Sequence, residues 1–259
     1  MLATSAFEPC DAFKRNNRRY LRIIPVQSDD EYPVITIDGP AGSGKGTIGQ
    51  ALAIRLGWNF LDSGALYRAC AYVAERNSIS LTQASEMEAH LRDMDFTSIP
   101  APPGSEAKVL LNGEDISEQI RTPQIAQLAS KFAAKQSVRD ALLYVQREYH
   151  RCPGLVADGR DMGSVVFPDG KLKIFLSASL KTRAQRKYIQ LKNQGNCVNF
   201  DAIYENIASR DRRDSGRKHS PLIMPQGAME IDSSDLSVDG VLYLILEKLK
   251  SVLNEERPI

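Results

Sequence analysis

Residues 39–47 read GPAGSGKGT, and the segments on either side decide what this stretch can be. Before it, PVITID (33–38) is a short β-branched run, the pattern of a buried strand. After it, GTIGQALAIRLG (46–57) carries apolar residues at helical spacing and stops at Gly57. A glycine-rich turn from strand to helix lets backbone N–H groups point inward onto an anion, and the helix start adds its positive end. The juncture therefore calls for an α/β fold with a phosphate site at a strand end. Gly39, Gly44 and Lys45 fit the spacing G-x-x-x-x-G-K-[ST], with Gly46 inserted before Thr47. The candidate phosphate contacts are Gly39, Pro40, Ala41, Gly42, Ser43, Gly44, Lys45, Gly46 and Thr47. Lys45 can reach the outer phosphates of a bound nucleotide, and the Thr47 hydroxyl can help hold Mg²⁺.

The rest of the chain supports that fold class. NFLD (59–62), GLVADG (154–159), KLKIFLSAS (171–179) and AMEIDSS (228–234) read as strands. Helical spacing predicts helices over 63–77, 82–94, 182–195, 200–213 and 238–253. A long helical stretch over 122–151 is expected to break near Gln136-Ser137. Strands alternating with helices indicate a parallel sheet with helices on both faces. AKVLLNGEDI (107–116) does not fit the alternation: Asn112-Gly113 between extended residues signals a hairpin, read as part of an insertion. IPAPPGS (99–105) before it reads as a loop.

Composition narrows the function classes. A net charge of +1 over 259 residues argues against a general nucleic-acid coat protein, and no nucleic-acid partner is expected. Cys10, Cys70, Cys152 and Cys197 form no C-x-x-C pair, so neither a zinc site nor a redox pair is expected. Few, scattered cysteines suit a reducing, cytoplasmic setting. No apolar run approaches the ~20 residues of a membrane span. Residues 1–32 differ from the rest: KRNNRRYLR (14–22) is basic and SDDEYP (28–33) acidic. They hold no apolar core of a secretory signal, Glu8 and Asp11 count against a transit peptide, and the segment is expected to be a disordered extension.

Three further motifs carry chemistry. In LDSGALYR (61–68), Ser63 offers a hydroxyl at a helix start, and Arg68 can take a phosphate bidentately; the alternative is a serine cap beside a solvated arginine. In ADGRDMGSVVFPD (157–169), Asp158 ends a strand and can hold Mg²⁺ through water. Arg160 and Asp161 then point into the crevice beyond the strand ends, unless they form only an internal ion pair of a charged turn. In SRDRRDSGRKHSP (209–221), Arg210, Arg212, Arg213 and Arg217 stand beside Asp211 and Asp214, with a Ser215-Gly216 joint before Arg217. Mixed charge of this kind usually marks a solvated helix end. Near a phosphate loop it can instead neutralise a transferring phosphoryl group and exclude water.

Taken together, GPAGSGKGT, LDSGALYR, ADGRDMGSVVFPD and RDRRDSGR occur in the order and spacing of the bacterial cytidylate kinases, which the chain resembles from Pro33 to its end. The GKGT ending is similar to nucleoside-monophosphate kinase loops, and the N-K-x-D guanine reader of a GTPase switch is absent from the sequence. The resemblance implies an α/β, P-loop NTPase-type parallel sheet flanked by helices. It adds a monophosphate-binding insertion at about 64–130 and a short lid at about 187–217, within a kinase domain spanning 33–259. It implies ATP-dependent phosphorylation of CMP and dCMP to CDP and dCDP in pyrimidine nucleotide metabolism, with Mg²⁺; a monomer is expected. Lys45, Arg160, Arg210 and Arg217 would be catalytic. Ser63, Ser130, Arg139, Asp161 and Arg217 would surround the cytosine, Arg210 and Asp214 the ribose, and Arg68, Arg160 and Arg210 the CMP phosphate. The lid arginines are expected to repel one another until phosphates arrive. The basic extension departs from the family pattern. Two rivals remain open: a kinase of this fold acting on UMP, AMP or an alcohol, and a nucleotide-binding switch without turnover.

Overall fold

The structure is a computed structural model that describes residues 32–80, 83–92, 94–102 and 104–254. The disordered extension expected over 1–32 falls outside this set, apart from Tyr32.

Among the described residues, five parallel strands form the main sheet: β1 (Val34–Asp38), β2 (Asn59–Asp62), β6 (Leu155–Gly159), β7 (Leu172–Ser177) and β8 (Met229–Asp232). Their order is β2-β6-β1-β7-β8. The register aligns the ends that matter. Asp38 of β1 lies opposite Gly159, and Asp62 of β2 opposite Asp158. The loops leaving β1, β2 and β6 therefore emerge together, at the carboxyl edge where open α/β sheets bind ligands.

Strand periodicity divides the core in two. Ile35, Ile37, Val156 and Ile174 face one side, against Ile48 and Leu52 of α1 (Lys45–Leu56) and Ile245 of α8 (Val238–Asn254). Leu155 and Ala157 face the other, against Leu66 of α2 (Ser63–Arg76), Phe132 of α4 (Pro123–Phe132) and Leu142 of α5 (Gln136–Arg147). Each fully buried aliphatic side chain contributes ~1.5–3 kcal/mol, so both helix layers are strongly held to the sheet.

A second, antiparallel sheet joins β3 (Phe96–Ile99), β4 (Lys108–Leu111) and β5 (Glu114–Asp115). Its hairpin turns at Asn112 and Gly113, with φ of 50° and 81°, the paired positive angles that an Asn-Gly turn supplies. Strand β3 was not anticipated. FTSI is short and half hydroxylated, and it becomes a strand because β4 pairs with it, Phe96 opposite Leu111. The long helical stretch breaks at residues 133–135, just ahead of the expected point, and Thr122 caps α4 by accepting from Ile125 N.

After β6 the chain makes a π-helical turn, Met162–Val166, which sequence periodicity did not suggest. Asp38 holds it, accepting from Met162 N at 2.8 Å and Gly163 N at 2.7 Å. Residues 180–215 form α6 (Leu180–Asn193) and α7 (Phe200–Ser215), packed against each other. Helix α3 (Ala84–Arg92) lies where a helix over 82–94 was expected.

Candidate active site

Gly39 passes so close to β7 that a Cβ there would stand 2.1 Å from the Leu176 carbonyl oxygen. Only glycine fits, and the loop is thereby pressed against the sheet edge. Helix α1 opens after Gly44 without a side-chain cap, so its first-turn N–H groups remain available to an anion. Lys45 is 8% exposed, and its Nζ donates to the Pro40 carbonyl at 3.1 Å. Burial pushes its ammonium down to about 7; Arg160 and Arg210 push the same way, and Asp158 opposes them. Asp158 is raised to about 7, by burial first, with Lys45 pulling it back. A Cβ at Gly46 would lie 3.2 Å from Asp158 Oδ2, so the bare loop backbone approaches that carboxylate closely. Thr47 is exposed in the first turn of α1.

Beside the loop, three arginines gather on one carboxylate. Asp214 of α7 is fully buried. Arg160 Nε donates to its Oδ2 at 2.9 Å, Arg217 NH2 donates to its Oδ1, and Arg210 Nε lies 3.9 Å from Oδ2. Burial pushes the Asp214 carboxyl up, but Arg160 and Arg217 outweigh it and hold it below the usual carboxylate range. Arg210 is lowered to about 10 by burial and then Arg160, and stays protonated at neutral pH. The expected mutual repulsion of these arginines is thus offset from within. Arg68, half-buried, is close enough to add to the field on Arg210.

A second buried pair stands apart. Arg139 NH2 donates to Asp161 Oδ2, with both side chains almost entirely enclosed. Arg139 Nε also donates to Ser220 Oγ at 3.0 Å and NH1 to the Ala133 carbonyl, freed by the break after α4, at 3.1 Å. Its guanidinium lies over the Tyr67 ring, 5.6 Å from the centroid. Asp161 therefore pairs with Arg139, and Arg160 with Asp214, rather than with each other as a local charged turn would have it.

Ser63 is buried but does not cap α2; Asp62 does, accepting from Ala65 N at 2.9 Å. Ser63 Oγ instead abuts Gly159, where a Cβ would come within 2.7 Å of it. Ser130 sits at the margin. Its hydroxyl accepts from Arg213 NH1 at 3.2 Å, and it shares a groove with Lys131, Arg212, Arg217 and Lys218.

Two loop supports escaped sequence reasoning. Arg183 NH1 donates to the Ala41 carbonyl at 3.0 Å, and Arg186 NH1 to the Ser43 carbonyl at 3.2 Å. The available signal was their i, i+3 spacing, which puts both on one face of α6.

The family model described as cytidylate kinase matches residues 35–251. A protein of Pseudomonas putida (strain W619) named cytidylate kinase is 46% identical over 221 residues, covering 85% of this chain and 97% of that one. One of Stutzerimonas stutzeri (strain A1501), of the same name, is 48% identical over 217 residues, covering 84% and 95%. Among solved structures, shikimate kinase from Bacteroides thetaiotaomicron is a remote likeness, 14% identical with a TM-score of 0.42, covering 86% of this chain and 98% of that one. With the family model spanning most of the chain and relatives matched along nearly their whole length, the chain is a kinase and belongs to the cytidylate kinase family.

Proposed function

We propose that the enzyme transfers the γ-phosphoryl group of ATP to the phosphate of CMP or dCMP, releasing ADP and CDP or dCDP. The observation that carries this reading is the Asp214 hub, which gathers Arg160, Arg210 and Arg217 beside the Lys45 loop. A second anionic substrate, rather than water, is what such a cluster suits. An acceptor phosphate oxygen attacks the γ-phosphorus in line, and catalysis consists of positioning and charge neutralisation.

In this reading the loop N–H groups and Lys45 hold the ATP phosphates. Arg68, Arg160 and Arg210 hold the acceptor phosphate, Arg210 and Asp214 the ribose, and Arg217 neutralises the transferring group. The Arg139–Asp161 pair reads the base, with Ser63, Ser130 and Arg217 around it. Asp161 accepts from the cytosine N4 amino group, where uracil would present a repelled O4. Arg139 donates to cytosine N3, where uracil carries a hydrogen.

Thr47 and, through water, Asp158 are the residues that fit Mg²⁺. The close approach of Gly46 to Asp158 sets that carboxylate directly beside the loop. Among the described residues no cluster of three metal-ligating side chains occurs, which suits an ion held mainly by phosphates and water. When bound, Mg²⁺ neutralises charge on the β- and γ-phosphate oxygens. The reading includes a substrate-binding insertion at about 64–130, a lid at about 187–217, a monomer, and a cytoplasmic setting. No helix among the described residues is long and apolar enough to cross a membrane.

Steady-state transfer from ATP to CMP, dCMP, UMP and AMP tests the proposal. CMP and dCMP should give the highest kcat/KM. A faster UMP or AMP, or release of phosphate to water alone, would overturn it.

A further inference from the structure

Three acceptors from three segments meet on one buried guanidinium. Arg183 of α6 is 6% exposed. Its Nε donates to the Ala178 carbonyl at 2.9 Å, and its NH1 to the Ala41 carbonyl of the phosphate loop at 3.0 Å. The same NH1 lies 2.7 Å from Asp211 Oδ2 of α7. The stem of Arg183 also lines the loop: a Cβ at Gly42 would stand 3.1 Å from its Cβ. Neither Arg183 nor Asp211 has a part in the nucleotide contacts proposed above.

Asp211 directly follows Arg210, and Arg210 is poorly held by its own side chain. Its Nε is buried without a hydrogen-bond partner, and its ion pair with Asp214 is long, at 3.9 Å. Where Arg210 sits is therefore decided by where α7 sits. Helix α7 packs against α6 and donates from Arg213 to Ser130, and two buried ion pairs flank the turn that carries Arg210. Toward the acceptor side, Asp214 binds Arg160 at the end of β6. Toward the donor side, Asp211 binds Arg183 and, through it, the phosphate loop. Asp211 and Asp214 are three residues apart, about 60° around the helix at ~100° per residue. The two ion pairs run to different parts of the protein, one to the acceptor side and one to the phosphate loop.

We infer that the Arg183–Asp211 pair is a positioning couple that fixes Arg210 against the phosphate loop, and so governs the transfer step rather than the binding of CMP. The inference rests on the CMP kinase reading. Transfer is sensitive to such a tether because a misplacement of ~1 Å can cost ~10²-fold in rate.

The test is a cycle of Arg183→Gln, Asp211→Asn and the double variant, assayed with ATP and CMP beside the wild type, with folded fraction measured for each. Asp211→Asn keeps the shape and removes the charge. Its kcat should fall by about 10–100-fold while KM for CMP stays within about threefold. The double variant should be no more than about twofold slower than the slower single, because each change breaks the same couple. Wild-type kcat in a folded Asp211→Asn, independent multiplication of the two losses, or a raised KM with unchanged kcat would each overturn the inference. Should Asp211→Asn fail to fold, the double variant, which leaves no unpaired buried charge, decides: a reduced kcat supports the couple and a wild-type kcat refutes it. A wild type that prefers another acceptor overturns the functional reading instead, and the couple is then read on that acceptor.

Discussion

The two regions to which the proposed function assigns phosphate binding are built from different materials. The phosphate loop uses backbone N–H groups, glycine clearances and one buried lysine, all within nine contiguous residues. The arginine region uses side chains drawn from β6, α7 and the segment after it, and their charges are offset by one buried carboxylate, Asp214. At the loop, Lys45 is a single buried cation with Asp158 near it, and burial first of all depresses its ammonium. The arginine region carries its counter-anion with it. In the proposed function, a ligand phosphate there would join Asp214 as a second anion among three arginines, whereas at the loop it would meet backbone N–H groups and one lysine.

The sharpest way to break this comparison is to remove the internal anion. Asp214→Asn leaves three arginines with no carboxylate between them, and losing one member of a buried pair typically costs ~3–5 kcal/mol. Denaturant unfolding at pH 7 should show a loss of that order. The pH dependence follows from the sign of the shift. Asp214 is held below its ordinary value, so its contribution is complete above the unfolded pKa of ~3.9 and is lost as pH falls through the lower folded value. The gap between wild type and variant should stay level from pH 8 to 5 and close below about 4. A gap already closing at pH 6 would show that Asp214 is not the neutralising group.

Lys45→Met probes the opposite case. Transfer should fall by ~10²–10³-fold, the typical loss of one transition-state donor, with CMP affinity nearly intact. Because the lysine is an unfavourably buried cation, the free variant should melt no lower than wild type. Retention of more than about a tenth of kcat would remove Lys45 from the transfer machinery.

The contrast also explains what was legible in the sequence. The loop and the strand and helix around it could be read directly because their geometry is local. The same holds for the Asn112-Gly113 hairpin. The site residues were named, yet their partners were not. Spacing placed Arg160 beside Asp161, whereas the fold pairs Arg160 with Asp214, 54 positions away, and Asp161 with Arg139, 22 positions away. Strand β3 and the π-helical turn stayed hidden for the same reason: one depends on β4 and the other on Asp38. Helical spacing gave Arg183 and Arg186 no task, and only the packing of α6 on the loop does.

A smaller effect is expected where the arginine region meets the base. Asp161→Ala should narrow the CMP/UMP ratio of kcat/KM by ~1–3 kcal/mol, the worth of one base-edge contact. Because Asp161 also partners buried Arg139, the melting temperature should drop too, and the ratio is the readout that distinguishes the roles. An unchanged ratio would leave Asp161 as a support for Arg139 alone.

The smallest effect belongs to Glu106, just ahead of β4, which accepts from Gln190 Nε2 of α6 at 2.8 Å and pairs with Arg121. It is well exposed, and such contacts contribute ~0.2–1 kcal/mol, so Glu106→Gln should leave kcat within about twofold. A larger loss would mean that the insertion and α6 are coupled in transfer.

The arginine region should be assembled before any nucleotide binds, since its ion pairs are internal to the fold. Hydrogen exchange of the α7 amides in the free enzyme tests it most directly. With Asp214 tethering α7 to Arg160 and Asp211 tethering it to Arg183, residues 207–215 should already be protected to a degree similar to α1, and ATP with CMP should add little. An α7 that exchanges almost freely in the free enzyme, and becomes protected only when both nucleotides are present, would contradict the account.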